Sequence, residues 1–296
     1  MNRMQELPSK RTLDEDIPEL KQFLRPGAKV LDVGCGFGTI TLGVAEAVDP
    51  GEVVGIDPGE DRVDVAREWS TQVSHPGNIA FQVGDSHRLG FPDNTFDVVY
   101  SHTVLHFFLD PVMGLKEQKR VAKKGGWVIA SGVREHANLR HPHCPHWEKL
   151  CEAYRRYWVA RLEEYRASRK DPAEFLEEQY KSEPSWLFYY DMHAGRKCPE
   201  WFRKAGLEEV RIEIQPRGVK YQGPDGMEWH AQDLLVLDEP GWAIQRQIVS
   251  DHQRMISEGL LDEETLERAI EEARAWYKDP DAFQYWPEVF AAGRAK

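Results

Sequence analysis

The sequence predicts an α/β fold in which buried parallel strands alternate with amphipathic helices. The first strand, Lys29–Val33, is an apolar run that leads into a glycine-rich turn, and residues 40–48 follow with the periodicity of a helix. Two more strand-like runs, Glu52–Asp57 and Ile79–Val83, each end at or next to an acidic residue. Strands that alternate with helices in this way form a mostly parallel sheet with helices on both faces.

The composition describes a 296-residue chain that can bury a sizeable core, because 41% of its residues are hydrophobic. The formal net charge of −12 disfavours nucleic acid as a partner, tRNA and rRNA included. The sequence shows no signal-peptide core and no apolar run long enough to span a bilayer. The four cysteines lack C-x-x-C spacing and indicate reduced thiols. We therefore expect a cytoplasmic protein without a membrane partner, and its oligomeric state stays open.

The loop after the first strand, Gly34-Cys35-Gly36-Phe37-Gly38, predicts a ligand site. Its glycines let the backbone turn sharply and let a ligand approach closely, and the next helix directs unpaired N–H groups at that ligand. In the dinucleotide-binding fingerprint a third glycine would stand at Thr39. Asp32, directly ahead of the loop, favours a positive charge over a pyrophosphate. S-adenosylmethionine (SAM) has a nucleoside, a positive charge and no phosphates, and therefore fits.

Residues 30–39 resemble the first motif of the class I SAM-dependent methyltransferases, in particular those of ubiquinone and menaquinone biosynthesis. Residues 91–99 are similar to the F-P-D-x-x-F-D-V-V phrase of that family, and residues 201–210 to the phrase before its sixth strand. The resemblance covers residues 13–133 and 194–214. It implies a Rossmann-like, seven-stranded methyltransferase sheet with helices on both faces, SAM as the cofactor and a small-molecule acceptor.

Acidic residues at strand ends are expected to bind the cofactor. Asp57 lies about twenty residues beyond the glycine loop, where a carboxylate can accept from both ribose hydroxyls; the alternative role is a helix cap. In the resembled family the acid at the position of Asp85 accepts from the adenine amino group, and the alternative is a turn carboxylate. The predicted cofactor-binding residues are Asp32, Gly34, Gly36, Gly38, Thr39, Asp57, Pro58, Asp85, Ser86, Ser101 and His102.

His106 is the candidate catalytic residue. It stands in Leu105-His106-Phe107, a partial match to the L-H-H that quinone methyltransferases carry after the fourth strand. One role is to orient the acceptor or to remove a proton from it. The other is to pack beneath the cofactor and only form hydrogen bonds, which a lone histidine favours. No metal is implied.

Two charged insertions interrupt the core pattern, and they are expected to form a helical lid. The predicted domains are a SAM-binding core at 1–140, a helical cap at 141–195, core helix and strand six at 196–216, a second helical insertion at 217–284 and a closing strand at 285–296. An alternative places the closing strand at 229–237. The cap residues expected either to line the acceptor pocket or to form only a helical core are Tyr154, Trp158, Trp186, Tyr190 and His193.

Other functions remain open at the level of the sequence. A regulatory or scaffold protein would bind SAM without turnover. A nicotinamide-dependent dehydrogenase would also use a glycine loop, but Asp32 and Thr39 argue against it. An arsenite methyltransferase would need Cys144, Cys151 and Cys198 to converge. The histidine-rich segment 141–146 has metal-binding residue types, but its two prolines and tight spacing favour a polar loop. The acceptor and the methylated atom are not determined.

Overall fold

The protein divides into two units, the first formed by Met1–Arg134, His193–Gln215 and Glu288–Lys296, and the second by Glu135–Met192 and Pro216–Pro287. The computed structural model describes residues 11–76, 78–135, 139–182, 191–215, 220–221, 251–279, 281–285 and 287–296. His193, which the prediction places in the helical cap, belongs to the first unit. The predicted domains themselves stay a prediction.

The strands and helices follow one another in the order that the alternating pattern predicts. The strands are β1 (Lys29–Val33), β2 (Glu52–Asp57), β3 (Ile79–Val83), β4 (Phe96–His102), β5 (Ala122–Arg134), β6 (Leu139–His141), β7 (Glu208–Gln215), β8 (Lys220–Tyr221), β9 (Phe283–Tyr285) and β10 (Glu288–Arg294). The helices are α1 (Leu13–Asp16), α2 (Thr39–Val48), α3 (Glu60–Gln72), α4 (Pro111–Val121), α5 (Pro145–Ser168), α6 (Pro172–Ser182), α7 (Ala194–Lys204) and α8 (Glu263–Lys278).

A seven-stranded sheet forms the centre of the first unit, with the strand order β3-β2-β1-β4-β5-β10-β7. Strands β1 to β5 pair in parallel, so their carboxyl ends lie at one edge of the sheet. Strand β10 is antiparallel to both of its neighbours, β5 and β7. This arrangement confirms the predicted Rossmann-like sheet, in which ligands bind beyond the carboxyl ends of the parallel strands.

Apolar side chains cover both faces of this sheet, as the continuous apolar runs of β1 and β4 predict. On one face, α4 and α7 contribute Leu115 and Phe202 to a cluster that contains Leu31 and Val99 of the strands. On the other face, α2 and the N-terminal segment pack over a second cluster: Leu13, Ile17, Leu20, Ile40, Val44, Val98 and Tyr100. Burial on both faces fixes the register of the strands and therefore the positions of their ends.

The second unit is mainly helical in its described part. Residues 251–257 are helical, and α5 packs against α8. Glu272 of α8 accepts hydrogen bonds from the backbone N–H groups of His146 and Trp147 at 2.9 and 3.0 Å, and so caps the N-terminus of α5. Strands β6, β9 and β8 form a small antiparallel sheet. Nowhere in the described ranges is a helix both apolar and long enough to cross a membrane.

Two predicted elements differ from the structure. Ile17, Leu20 and Leu24 recur at helical spacing and predict a helix over 14–24. The structure divides this segment into α1 and a 3-10 helix, Pro18–Phe23. Ile17, directly before the proline, has φ −145° and ψ 53°, because a residue before proline is displaced from the helical region. The closing strand predicted within 285–296 is Glu288–Arg294, and its predicted first residue, Tyr285, pairs in the small sheet instead. The alternative closing strand, 229–237, lies outside the described residues.

Truncation of the core residue Phe202 should lower the free energy of unfolding of the first unit. Phe202 is fully buried, so Phe202→Ala leaves a cavity and should cost about 3–5 kcal/mol. The matched control is Arg203→Ala, next to it on the exposed side of α7, which should stay within about 0.5 kcal/mol of the wild type. Chemical denaturation followed by circular dichroism measures both. Equal effects of the two variants would contradict the packing of α7 on the sheet.

Candidate functional site

The glycine loop joins β1 to α2 by a sharp turn. The N–H groups of Gly34 and Cys35 both donate to the carbonyl of Ile56 in β2, at 2.7 and 2.9 Å. Gly38, the N-cap of α2, has φ +78°, which disfavours any residue with a side chain. A Cβ atom at residue 38 would also lie only 2.5 Å from the ring of Phe81. The glycines therefore bring the backbone and the N-terminus of α2 close to the ends of β1 and β2.

Asp32 is a buried carboxylate held by two hydroxyl groups. Thr41 Oγ1 and Tyr100 Oη both donate to its Oδ2 atom, at 2.7 and 2.6 Å. Within the described residues no hydrogen bond reaches Oδ1. Burial raises the pKa of Asp32 to about 6, although the two hydrogen bonds oppose this rise. Asp32 therefore changes charge in a pH range where most carboxyl groups are already ionised.

Asp57, at the end of β2, accepts hydrogen bonds from the loop, from α3 and from the segment between β2 and α3. Its Oδ2 atom accepts from the N–H of Gly36 at 3.0 Å. Its Oδ1 atom accepts from the N–H of Gly59 at 2.9 Å and from Arg62, with Nε at 2.8 Å and Nη2 at 2.6 Å. The side chain of Arg62 is only 12% exposed, so this ion pair fixes the orientation of the carboxylate.

Asp85 follows β3 and is held by His87. Its Oδ1 atom accepts from the backbone N–H of His87 at 2.6 Å and lies 3.0 Å from Nδ1 of the ring. Burial alone would raise the pKa of Asp85, but the hydrogen bonds from His87 outweigh burial, and the pKa lies below its usual value. Asp85 therefore stays ionised at neutral pH.

The three carboxylates share one arrangement at the ends of neighbouring parallel strands. In Asp32 and Asp85 one oxygen accepts two hydrogen bonds from the protein, and the other accepts none from any described residue. In Asp57 one oxygen accepts from Gly59 and Arg62, and the other accepts from Gly36 alone among the described residues. Each carboxylate thus presents an oriented oxygen with remaining acceptor capacity, as recognition of a ligand with several donors requires.

The other predicted cofactor residues occupy different environments. Thr39 is the first residue of α2, Pro58 is exposed directly after Asp57, and Ser86 Oγ lies 3.4 Å from the ring of His87. Ser101, at the end of β4, is fully buried, and its hydroxyl has no hydrogen-bond partner within the described residues. His102 is also buried, with 8% exposure. Whether these five residues contact the cofactor stays a prediction.

His106 lies in the 3-10 helix Leu105–Phe107, four residues after the end of β4. Its side chain is buried, with 1% exposure, and its ring packs against Phe107 with a centroid distance of 4.3 Å. Leu105 next to it belongs to the core cluster of α4 and α7. Burial is consistent with both predicted roles of His106.

The predicted cap residues are distributed over both units. In the second unit, Tyr154 Oη lies 2.9 Å from Nε2 of His252, and Trp158 is buried against Tyr157. His193 is the N-cap residue of α7 in the first unit. Trp186 and Tyr190 lie outside the described residues. A contact of these side chains with the acceptor stays a prediction.

The histidine-rich segment has other partners than a metal. His146 Nδ1 lies 2.7 Å from Glu272, and His143 Nε2 lies 3.1 Å from Glu148. Across the part of the chain that the structure describes, no three His, Cys, Asp or Glu side chains group as metal ligands. All four cysteines are described, and none forms a disulfide. Of the three cysteines that an arsenic site would need, Cys198 is buried, and burial raises its pKa and disfavours the thiolate.

Comparison with known proteins identifies the family of the chain. A family model described as "Methyltransferase domain" matches residues 24–206, and the chain belongs to this family. It is 42% identical to an uncharacterized methyltransferase of Schizosaccharomyces pombe over 112 residues, which are 36% of this chain and 40% of that protein. It is 29% identical to the demethylmenaquinone methyltransferase of Staphylococcus aureus over 197 residues, 66% of this chain and 74% of that protein.

Solved structures agree on the fold alone. The YcgJ protein from Bacillus subtilis has a TM-score of 0.55 and 15% identity, over 96% of this chain and 99% of that one. A putative methyltransferase from Bacillus halodurans has a TM-score of 0.52 and 16% identity, over 95% of this chain and 98% of that one.

The predicted class is confirmed: the protein is a class I SAM-dependent methyltransferase, and SAM is its cofactor. The dehydrogenase alternative was therefore wrong.

Sequence reasoning missed the residues that hold the three carboxylates. Tyr100 lies opposite Asp32 on the neighbouring strand β4, a register that the sequence patterns did not specify. Arg62 follows Asp57 by five residues, and His87 follows Asp85 by two. Neither spacing determines a side-chain direction, which explains why they escaped notice.

The raised pKa of Asp32 predicts that cofactor binding depends on pH. A protonated Asp32 carries no charge, so affinity for SAM should fall as the pH decreases through about 6. Tyr100→Phe removes a hydrogen bond that favours the ionised form and should move this midpoint to higher pH. Calorimetric titration between pH 5 and 8 measures both. An unchanged midpoint in the variant would contradict the role of Tyr100.

The free energy of unfolding should depend on pH in the opposite direction and decrease as the pH rises towards 6. Because the pKa of Asp32 is higher in the folded protein than its usual 3.8, proton binding stabilises the fold, and this contribution is lost as the pH rises towards 6. Asp32→Asn removes the titration and serves as the control for both measurements. In that variant neither the SAM affinity nor the stability should show the component with a midpoint near 6.

Proposed function

We propose that this enzyme transfers the methyl group of SAM to a nucleophilic atom of a small-molecule acceptor by in-line displacement. The observation that supports this function is the set of three oriented carboxylates, Asp32, Asp57 and Asp85, at the ends of β1, β2 and β3. A nucleoside that carries positive charge presents donors of the kind that such oxygens accept.

Each carboxylate suits one part of the cofactor. Asp32, next to the glycine loop, would accept from the positively charged amino-acid end. Asp57, with an oxygen that receives only the N–H of Gly36, would accept from the ribose hydroxyls. Asp85 would accept from the adenine amino group through the oxygen that His87 leaves open. The glycines at 34, 36 and 38 let the backbone approach the ligand.

The methyl-transfer step requires little chemistry from the protein. The sulfonium of SAM supplies an electrophilic methyl group with a neutral thioether as leaving group. The acceptor's lone pair forms the new bond to the methyl carbon while the electrons of the carbon–sulfur bond move to sulfur. The residues of the site contribute by holding donor and acceptor in line and by excluding water. Only an acceptor that carries a proton at the reacting atom needs a base.

A small molecule is the acceptor class that the chain favours. The formal net charge of −12 disfavours a polyanionic acceptor, and the similarity to a demethylmenaquinone methyltransferase supports a small molecule. A cytoplasmic location, predicted from the cysteines, remains part of this proposal. A protein that binds SAM without turnover would fail to label any small acceptor when incubated with SAM that carries an isotopically labelled methyl group.

Loss of the Asp57 carboxylate should weaken SAM binding. Asp57→Ala removes one charge-assisted contact and should cost about 1.5–3 kcal/mol in calorimetry. The matched variant Arg62→Met leaves the carboxylate in place with its two backbone donors, so it should cost less. A wild-type protein that binds no SAM would refute the proposed function. An Asp57→Ala variant that binds as well as the wild type would refute only the role of this residue.

Replacement of His106 should distinguish an orienting role from that of a general base. If the ring orients its neighbours, His106→Asn should lower kcat at most about tenfold to a hundredfold and leave the shape of the pH–rate profile unchanged. If the ring is the general base, the loss should exceed about ten-thousandfold, and the acidic limb of the profile should disappear while SAM affinity is unchanged. We expect the first result, because methyl transfer from a sulfonium depends mainly on alignment.

A further inference from the structure

The imidazole of His87 joins two parts of the first unit. On one side its Nδ1 atom lies 3.0 Å from Oδ1 of Asp85, after β3. On the other side its Nε2 atom accepts from the backbone N–H of Asp110 at 3.3 Å. Asp110 is the N-cap of α4, and its own side chain accepts from the N–H of Met113 at 2.9 Å. His87 thus connects the predicted adenine acid to the start of α4.

These two contacts require one protonation form of the ring. Nε2 accepts a hydrogen from a backbone amide and therefore carries none itself. Nδ1 faces a carboxylate oxygen and therefore carries the hydrogen. The ring is buried, with 2% exposure, and packs against Phe108 with a centroid distance of 5.4 Å. A flipped ring would lose both hydrogen bonds, so the imidazole is fixed in this orientation.

The ring and backbone of His87 act on a single oxygen of Asp85. Both the Nδ1–H and the backbone N–H of His87 donate to Oδ1. The Oδ2 atom accepts no hydrogen bond from the described residues. A carboxylate whose one oxygen is held by two donors cannot rotate freely, and its second oxygen is presented in a fixed direction as an acceptor. An acceptor in a fixed direction selects a ligand that has a donor there.

We propose that His87 is a positioning residue for recognition of the cofactor's base, holding Asp85 so that it accepts from a 6-amino purine and rejects a 6-oxo purine. This inference rests on the proposed function, in which Asp85 contacts adenine. It assigns to His87 a role in selectivity that the burial of an ordinary core histidine does not require. The same ring also ties Asp85 to the segment 105–110, which contains His106.

The test compares the binding of S-adenosylhomocysteine with that of S-inosylhomocysteine, which differs by an oxygen in place of the 6-amino group. The measured quantity is the ratio of the two dissociation constants, obtained by calorimetry. The wild type should prefer the amino compound by at least about tenfold, since the carboxylate is left facing an acceptor in the other complex. Asp85→Asn should abolish or reverse this preference, because its amide can donate to the oxo group.

Two variants of His87 form a matched pair. In His87→Asn the amide nitrogen falls near the place of Nδ1 and can donate to Asp85, whereas the contact with Asp110 is lost. In His87→Gln the amide oxygen falls near the place of Nε2 and can accept from Asp110, whereas donation to Asp85 is lost. We expect His87→Asn to keep most of the wild-type ratio of dissociation constants. In His87→Gln this ratio should fall about tenfold. Combined with Asp85→Asn, neither variant should change the ratio further.

The outcomes separate this inference from the proposed function. A wild type that binds neither compound refutes the proposed function. A folded His87→Gln variant that keeps the wild-type ratio overturns the positioning role, as does a larger loss in His87→Asn than in His87→Gln. If a variant does not fold, nuclear magnetic resonance of the wild-type ring decides. Hydrogen on Nδ1 of His87, with a shift change on binding the amino compound that the oxo compound does not reproduce, supports the proposal. Hydrogen on Nε2 overturns it.

Discussion

Burial of the Asp32 carboxyl group is the constraint on which the first unit depends. A carboxylate in the interior is costly unless hydrogen bonds compensate for the water that it has lost. Thr41 comes from the helix after the glycine loop, and Tyr100 comes from the neighbouring strand β4. The stabilisation of one group therefore requires β1, α2 and β4 to be correctly placed. The same two hydrogen bonds therefore join elements of the sheet and orient a carboxylate of the candidate site.

The other two carboxylates at this edge of the sheet are also held by protein hydrogen bonds. Asp57 is oriented by Arg62 and Asp85 by His87, so each carboxylate is fixed before any ligand arrives. Ligand binding then requires little reorganisation of these side chains, so the entropic cost of ordering them is small. The residues that do the orienting differ at each strand: hydroxyl groups for Asp32, a guanidinium for Asp57 and an imidazole for Asp85. Burial consequently raises the pKa of Asp32, whereas the hydrogen bonds from His87 outweigh burial and lower the pKa of Asp85.

The sequence predicted the core strands, a mostly parallel sheet and acidic residues at strand ends, because these depend on local periodicity and on where strands end. It did not predict Tyr100 as a partner, since Tyr100 lies 68 residues from Asp32. Arg62 and His87 lie close to Asp57 and Asp85 in the sequence, but spacing alone does not determine the direction of a side chain. The broken first helix was missed because periodicity outweighed Pro18 in the interpretation, although the proline was visible. The closing strand was assigned to the correct region, but its start was set too early because β9 and β10 are separated by only two residues.

Strand β10 has a consequence for biosynthesis. It lies between β5 and β7 and pairs with both, yet in the sequence it follows both insertions. On the ribosome, the first five strands emerge long before β10 does, and until then β5 exposes unpaired backbone groups along one side. Strand β7 has no neighbour of its own in this sheet other than β10 and must wait as well. Completion of the sheet is therefore a late event in synthesis, and the open edge of β5 stays exposed until β10 has emerged.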